Sequence, residues 1–194
     1  MKLQLKDLFK KKSLADYIIY AAILVAGVFI DQLTKWLVVK NMYMFEHIPV
    51  IKIGGSNIAS LYRTINDGAA FGMMSDAPWV FNTISVIALT AMMAFLFLGH
   101  AESMLSGIAI SMMISGGIGN MIDRIRFRYV VDMIYLDMFD FLSFNTIFNA
   151  ADSFVCIGAA LLVLALIIEM KEEIKQEKLA KEASERAAQE ESEE

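Results

Sequence analysis

Long apolar runs separated by short polar clusters dominate this chain. Four of them, at about 17–39, 79–98, 104–122 and 153–170, approach the roughly 20 apolar residues that cross a bilayer. Between the first two, His47 to Ile65 mixes β-branched and polar residues around a Gly54-Gly55 turn, which predicts a small antiparallel sheet lying on the membrane surface. Beyond Met170 the apolar stripe ends. Glu, Lys and Ala with opposite charges four apart, such as Glu177 and Lys181, predict a solvated helix, frayed, or disorder. The pattern predicts an all-α membrane protein, a four-transmembrane-helix bundle carrying a small extracytoplasmic β-sheet. Residues 1–170 form its single domain, and 171–194 a charged cytoplasmic tail.

Composition agrees with a membrane setting: 57% of the 194 residues are hydrophobic and the mean hydropathy is +0.54, too apolar for a soluble domain of this length. The net charge of -5 is concentrated in the tail and gives no support to a nucleic-acid partner. Lys2, Lys6, Lys10, Lys11 and Lys12 precede the first run and predict a cytoplasmic amino end. With Asp31 and Lys35 near its end and no small-residue cleavage site, that run is expected to be a retained span. Four crossings return the carboxyl end to the cytoplasm. The link Gly99 to Ser103 is then inside, and connections of about 40–78 and 123–148 are outside; Arg124, Arg126 and Arg128 in the second weaken the charge asymmetry. The single Cys156 lies within the last run, without a partner for a disulfide or metal site, and is expected to pack.

The polar clusters fall on the outer side. Asp132 follows Val130-Val131, and Asp152 ends Phe148-Asn149-Ala150-Ala151-Asp152 at the first turn of the last span. Ionisable groups are costly at a membrane boundary, and two that converge point to chemistry. Asp31 and Lys35, one helical turn apart, read as a structural ion pair in preference to a catalytic one. In Asn66-Asp67-Gly68-Ala69-Ala70-Phe71-Gly72, the small residues allow close backbone approach and the amide offers donor and acceptor; a turn and a binding loop remain equal readings. Ser115 to Gly119 supply small residues for tight helix packing. Asn120 and Asp123 share a face, and Arg124 has the reach to fork onto a carboxylate or a peptide carbonyl. Pairing and capping between Asp123 and Arg124 is as good a reading as direct chemistry. Asn149 and Asp152 also share a helical face.

Two aspartates in one site tend to share a proton. That state suits peptide hydrolysis, in which one carboxylate takes a proton from water while the protonated partner hydrogen-bonds the scissile carbonyl. No serine is paired with a base, and His47 and His100 are expected on opposite sides of the membrane, which disfavours a serine–histidine mechanism or a histidine-based zinc site. Asp137 and Asp140 are lesser rivals to Asp132.

Taken in order, Asp31-Gln32-Leu33-Thr34-Lys35, Asn66 to Phe71, Gly116 to Arg124, Val130-Val131-Asp132 and Phe148 to Asp152 closely resemble the lipoprotein signal peptidases of bacteria, over about 21–170. The resemblance implies an aspartyl endopeptidase of the bacterial cytoplasmic membrane, without metal or cofactor. It would cleave diacylglyceryl-modified prolipoproteins on the amino side of the lipidated cysteine. It implies Asp132 and Asp152 as the catalytic pair, and Asn66, Asn120, Arg124 and Asn149 as lining the substrate cleft. Asp31, Lys35, Gly68 and Asp123 take supporting positions. A monomer bound to membrane lipid suffices for this chemistry, with the site near the outer leaflet. The stretch 133–151 is a residue or two longer than usual, with a hydrophobic tip at 136–144, and is read as an outer loop over the active site. The competing readings are a small proton-coupled transporter, which calls for acids nearer mid-membrane and repeat symmetry, and a scaffold whose acids anchor arginines.

Overall fold

The computed structural model describes residues 12–53, 56–67, 78–137 and 146–193. Ser13 opens the first helix, α1 (Leu14–Asn41), through a reciprocal capping box: its Oγ accepts the Asp16 N–H at 3.2 Å, and Asp16 Oδ2 accepts the Ser13 N–H at 2.8 Å. Two strands follow, β1 (His47–Ile53) and β2 (Ser56–Asn66), and then α2 (Pro78–Phe97). Helix α3 (Met104–Phe127) begins at a second capping box, Ser103 with Ser106, and ends at Arg128, whose φ of 70° turns the chain away. Strands β3 (Val130–Leu136) and β4 (Thr146–Phe148) lead into α4 (Ala150–Glu193).

Among the described residues three helices are long and apolar enough to cross a membrane, α1, α3 and the Ala150–Ala183 part of α4; within α2 a shorter apolar helix spans Asn82–Phe97. Half of the α3 span is buried against 17% for α1 and 11% for α4, so α3 is the centre and the others surround it. Its glycines make this possible. A Cβ on Gly116 would collide with the Ala151 carbonyl of α4, and one on Gly119 with the Asp31 carboxylate of α1. The outward faces carry Ile18, Val25, Phe29, Ile87, Val163 and Leu166, all exposed, as suits side chains that face acyl chains instead of water. Cys156 is exposed on α4 and does not pack in the interior as its sequence setting suggested.

The four strands form one antiparallel sheet in the order β1-β2-β3-β4. The first outer connection supplies only half of it; the Val130-Val131-Asp132 motif is itself the start of a strand. The sheet sits on the carboxyl end of α1, where Val38 and Met42 pack with Met133, Leu61 and Ile134. Arg63 of β2 ties the two together by donating to the carbonyls of Val39 at 3.1 Å and Met42 at 2.5 Å. A second cluster, Tyr20, Leu96, Ala101, Ile110 and Ile114, closes the opposite end. Two boundaries differ from the sequence reading. Helix α3 runs past residue 122 and carries Asp123 and Arg124 on its last turns, and α4 continues without a break from the membrane span through the charged tail.

Candidate active site

The polar residues gather where the carboxyl ends of α1 and α3, the amino end of α4 and the start of β3 meet. Asn149 makes the junction. It is the N-cap of α4, its Oδ1 accepting the Asp152 N–H at 3.1 Å while Asp152 Oδ2 accepts the Asn149 N–H at 3.1 Å, a capping box with aspartate in the third position. The same side chain reaches across to β3, where its Nδ2 donates to Asp132 Oδ1 at 2.7 Å. One asparagine thus holds both acids.

Each acid has further donors. Asp132 Oδ2 accepts Asn66 Nδ2 at 3.1 Å, and Thr64 stands opposite Asp132 in the β2–β3 register. Asp152 Oδ1 accepts Asn120 Nδ2 at 2.8 Å. The environments diverge. Asp132 is 3% exposed, and burial, with the Asp152 charge as the next cause, pushes its pKa up to about 6 against the opposing hydrogen bonds from Asn66 and Asn149. Asp152 lies in the first turn of a long helix, where the field of the peptide dipoles favours negative charge. The charges of Asp152, Asp132 and Asp123 all act on Arg124.

Behind the pair lies a buried layer. Lys35 Nζ contacts Asp31 Oδ2 at 2.8 Å, Asp123 Oδ2 at 3.1 Å and Asn120 Oδ1 at 2.9 Å. Asp31 Oδ1 accepts the Ala151 N–H at 2.9 Å and so caps α4 from α1. Asp123 Oδ2 accepts the Val131 N–H at 3.1 Å and pins the first turn of β3. The pairing expected between Asp31 and Lys35 is present but is part of a larger cluster, and Asp123 spends its oxygens on Lys35, Val131 and Gln32. Gln32 belongs to this layer too, a role its sequence setting alone does not assign. Its Nε2 lies 3.0 Å from Asp123 Oδ1, 3.2 Å from Asp31 Oδ2 and 3.1 Å from the Gly119 carbonyl; a polar amide beside Asp31 within an apolar span was the available signal.

Of the site residues expected from the sequence, Asn66, Asn120, Arg124, Asp132, Asn149 and Asp152 converge here, with Asp31, Lys35 and Asp123 beneath them. Gly68 and Asp140 lie outside the described residues, as do 138–145 of the proposed loop. Asp137 follows β3 five residues beyond Asp132, roughly 16 Å along an extended strand, and its N–H bonds the Ile58 carbonyl. It is not a second Asp132.

Known proteins share this arrangement of sequence. A family model described as signal peptidase (SPase) II matches residues 23–168. A lipoprotein signal peptidase of Clostridium tetani is 39% identical over 147 residues, covering 76% of this chain and 91% of that protein. One from Streptococcus pyogenes serotype M2 is 39% identical over 143 residues, 74% of this chain and 89% of that one. Two solved structures of bacterial membrane enzymes superpose with TM-scores of 0.70 and 0.66, at 32% and 34% identity, covering 79% and 76% of this chain and 90% and 92% of theirs.

Proposed function

The chain belongs to the signal peptidase II family, and we propose that it removes the signal peptide from prolipoproteins as an aspartic endopeptidase with Asp132 and Asp152 as the catalytic pair. Peptide removal follows from the family and its relatives, which give the transporter reading no support. The observation that supports the aspartate pair is the single residue Asn149 bonded to both acids, through its side-chain amide to Asp132 Oδ1 and through its backbone N–H to Asp152 Oδ2, one acid buried with its pKa pushed up to about 6 and the other at a helix amino terminus.

That asymmetry assigns roles. Asp132 carries the shared proton and Asp152 is the carboxylate. Asp152 takes a proton from a water molecule, the resulting oxygen attacks the scissile carbonyl carbon, and the Asp132 proton passes to the carbonyl oxygen, giving a neutral tetrahedral diol. Collapse returns a proton from the diol to Asp132 as the C–N bond breaks, and the proton held on Asp152 goes to the departing amine. The pair ends as it began. Asn66 and Asn149 hold Asp132, Asn120 holds Asp152, and Arg124 is placed to meet peptide carbonyls of the substrate.

The membrane setting fits the substrate. We read α2 as a fourth span, completing a four-helix bundle with both termini cytoplasmic and a single domain over 1–170. Ser103, at the opposite end of the bundle, donates its N–H to Glu169 Oε1 at 3.1 Å. Asp152 and Glu169 are separated by roughly 26 Å of helix, close to the ~30 Å of a hydrocarbon core. A site at one end of that distance lies at the outer leaflet, where acyl chains hold a diacylglyceryl cysteine. One subunit provides every group named.

The test is release of the signal peptide from a diacylglyceryl-modified prolipoprotein by purified protein in detergent. Cleavage is expected to resist a metal chelator and to disappear in Asp132→Asn and Asp152→Asn, each still folded. Full activity in either folded variant would overturn the aspartate-pair reading.

A further inference from the structure

Lys35 does more than neutralise acids. It is 3% exposed, and an ammonium has three N–H donors, all committed here: to Asp31 Oδ2, Asp123 Oδ2 and the amide oxygen of Asn120. Charge balance accounts for the first two. The third fixes which way a neutral amide faces. Asn120 Oδ1 accepts Lys35 Nζ at 2.9 Å and Asn149 Nδ2 at 3.1 Å, which occupies both lone pairs, and its Nδ2 is thereby left pointing at Asp152 Oδ1, 2.8 Å away. Turned over, the amide would set its hydrogens against an ammonium and another NH2 group, and its oxygen against a carboxylate. All three contacts would become repulsive.

We infer that Lys35 is a positioning residue for the reaction: through Asn120 it obliges Asp152 to accept a hydrogen bond and so to serve as the ionised base. The inference rests on the aspartate-pair reading above. The charged groups facing this cluster are Asp31 on α1, Asp123 and Arg124 on α3, Asp132 on β3 and Asp152 on α4. Arg124 acts on Asp152 through space, whereas Lys35 acts through an amide that can be deleted by itself. The two effects are therefore separable.

Cleavage of a diacylglyceryl-modified prolipoprotein is measured against pH for the full chain and for Lys35→Met, Asn120→Leu, the double variant and Asp132→Asn, with thermal melts to establish folding. A lost hydrogen bond to a charged group predicts kcat lower by roughly 10- to 100-fold in each single variant, with KM within about twofold. The acidic limb of the kcat profile moves up by about one pH unit, and the double variant is no worse than the poorer single one. Additive losses, or an acidic limb unmoved in Asn120→Leu, overturn the inference. Asn120→Leu keeps Lys35 paired with both acids, so it reports even where Lys35→Met fails to fold. In that event Lys35→Met is made together with Asp31→Asn and Asp123→Asn, which removes the buried charge. Wild-type cleavage by that triple variant overturns the inference, and slow cleavage with the shifted limb upholds it. Failure of the aspartate pair itself looks different: folded wild type does not cleave, or Asp132→Asn does.

Discussion

A carboxyl group whose pKa is pushed up to about 6 by burial and a neighbouring charge leaves a signature in both rate and stability. In the free enzyme Asp132 loses its proton as pH rises through about 6, so kcat/KM falls there. A bound peptide and its acyl chains exclude more water, so the same limb appears at higher pH in kcat. Parallel profiles with no separation of these limbs would contradict that. For stability the sign is fixed by proton counting: between the ordinary carboxyl value of 3.8 and about 6 the folded state holds more protons than the unfolded one. Stability therefore falls as pH rises through that window and is level above it. Melting temperatures of wild type and Asp132→Asn between pH 4 and 7 should converge at the acid end and part above it, with the variant the more stable. Tyr20 makes a second case. It is fully buried beneath Gly107, and its hydroxyl has no hydrogen-bond partner among the described residues. Tyr20→Phe should leave cleavage unchanged and raise stability by about 1 kcal/mol, read as a higher melting temperature in detergent. These residues differ in legibility. Paired acids and amides in an apolar chain announce themselves by type, whereas Lys35 gripping Asn120 joins α1 to α3, and no local spacing reveals it.

Elements were legible in proportion to their length. The helices follow from unbroken apolar runs, whereas the capping boxes at Ser13 and Ser103 that start α1 and α3 lie outside the sequence reading. Strand β3 was hidden because Val130-Val131-Asp132-Met133-Ile134 does not alternate: its first four residues are all buried, so no period of two shows. The Asn149 to Asp152 capping box is a readable local pattern, of which the sequence analysis uses only the shared helical face. The tail's sequence permits either helix or disorder, since its Glu, Lys and Ala favour helix but bury nothing; the structure continues α4 through it. The sheet's hold on the bundle is harder to foresee, since Arg63 satisfies α1 carbonyls that lack intrahelical partners, at the end where positive charge is favoured. Arg63→Met should cost about 1–2 kcal/mol and lower the melting temperature. Because the sheet carries Asn66 and Asp132, it should also raise KM or lower kcat more than an exposed charge change such as Lys52→Met. Equal effects of the two would show that Arg63 is not the tie.

For the molecule as a whole, the sheet and the charged tail lie at opposite ends of the bundle, and the proposed orientation puts the first outside and the second inside. Geometry supports one spanning arrangement but is symmetric with respect to which end faces out. The asymmetry comes from the lysines before α1 and from the chemistry, since a lipidated cysteine delivered at the outer leaflet requires Asp132 and Asp152 at that face. Tyr43, 84% exposed beside the sheet, and Glu172, on the exposed tail beyond the span, report the two ends. With Cys156 replaced by serine, Tyr43→Cys should react with a membrane-impermeant maleimide in intact cells from which any outer membrane has been stripped, and Glu172→Cys only after lysis. The opposite labelling would place the acids on the cytoplasmic face. Such a site would meet the signal peptide before the lipidated cysteine had crossed, and the account of how the substrate reaches the aspartates would have to be abandoned even if their chemistry survived.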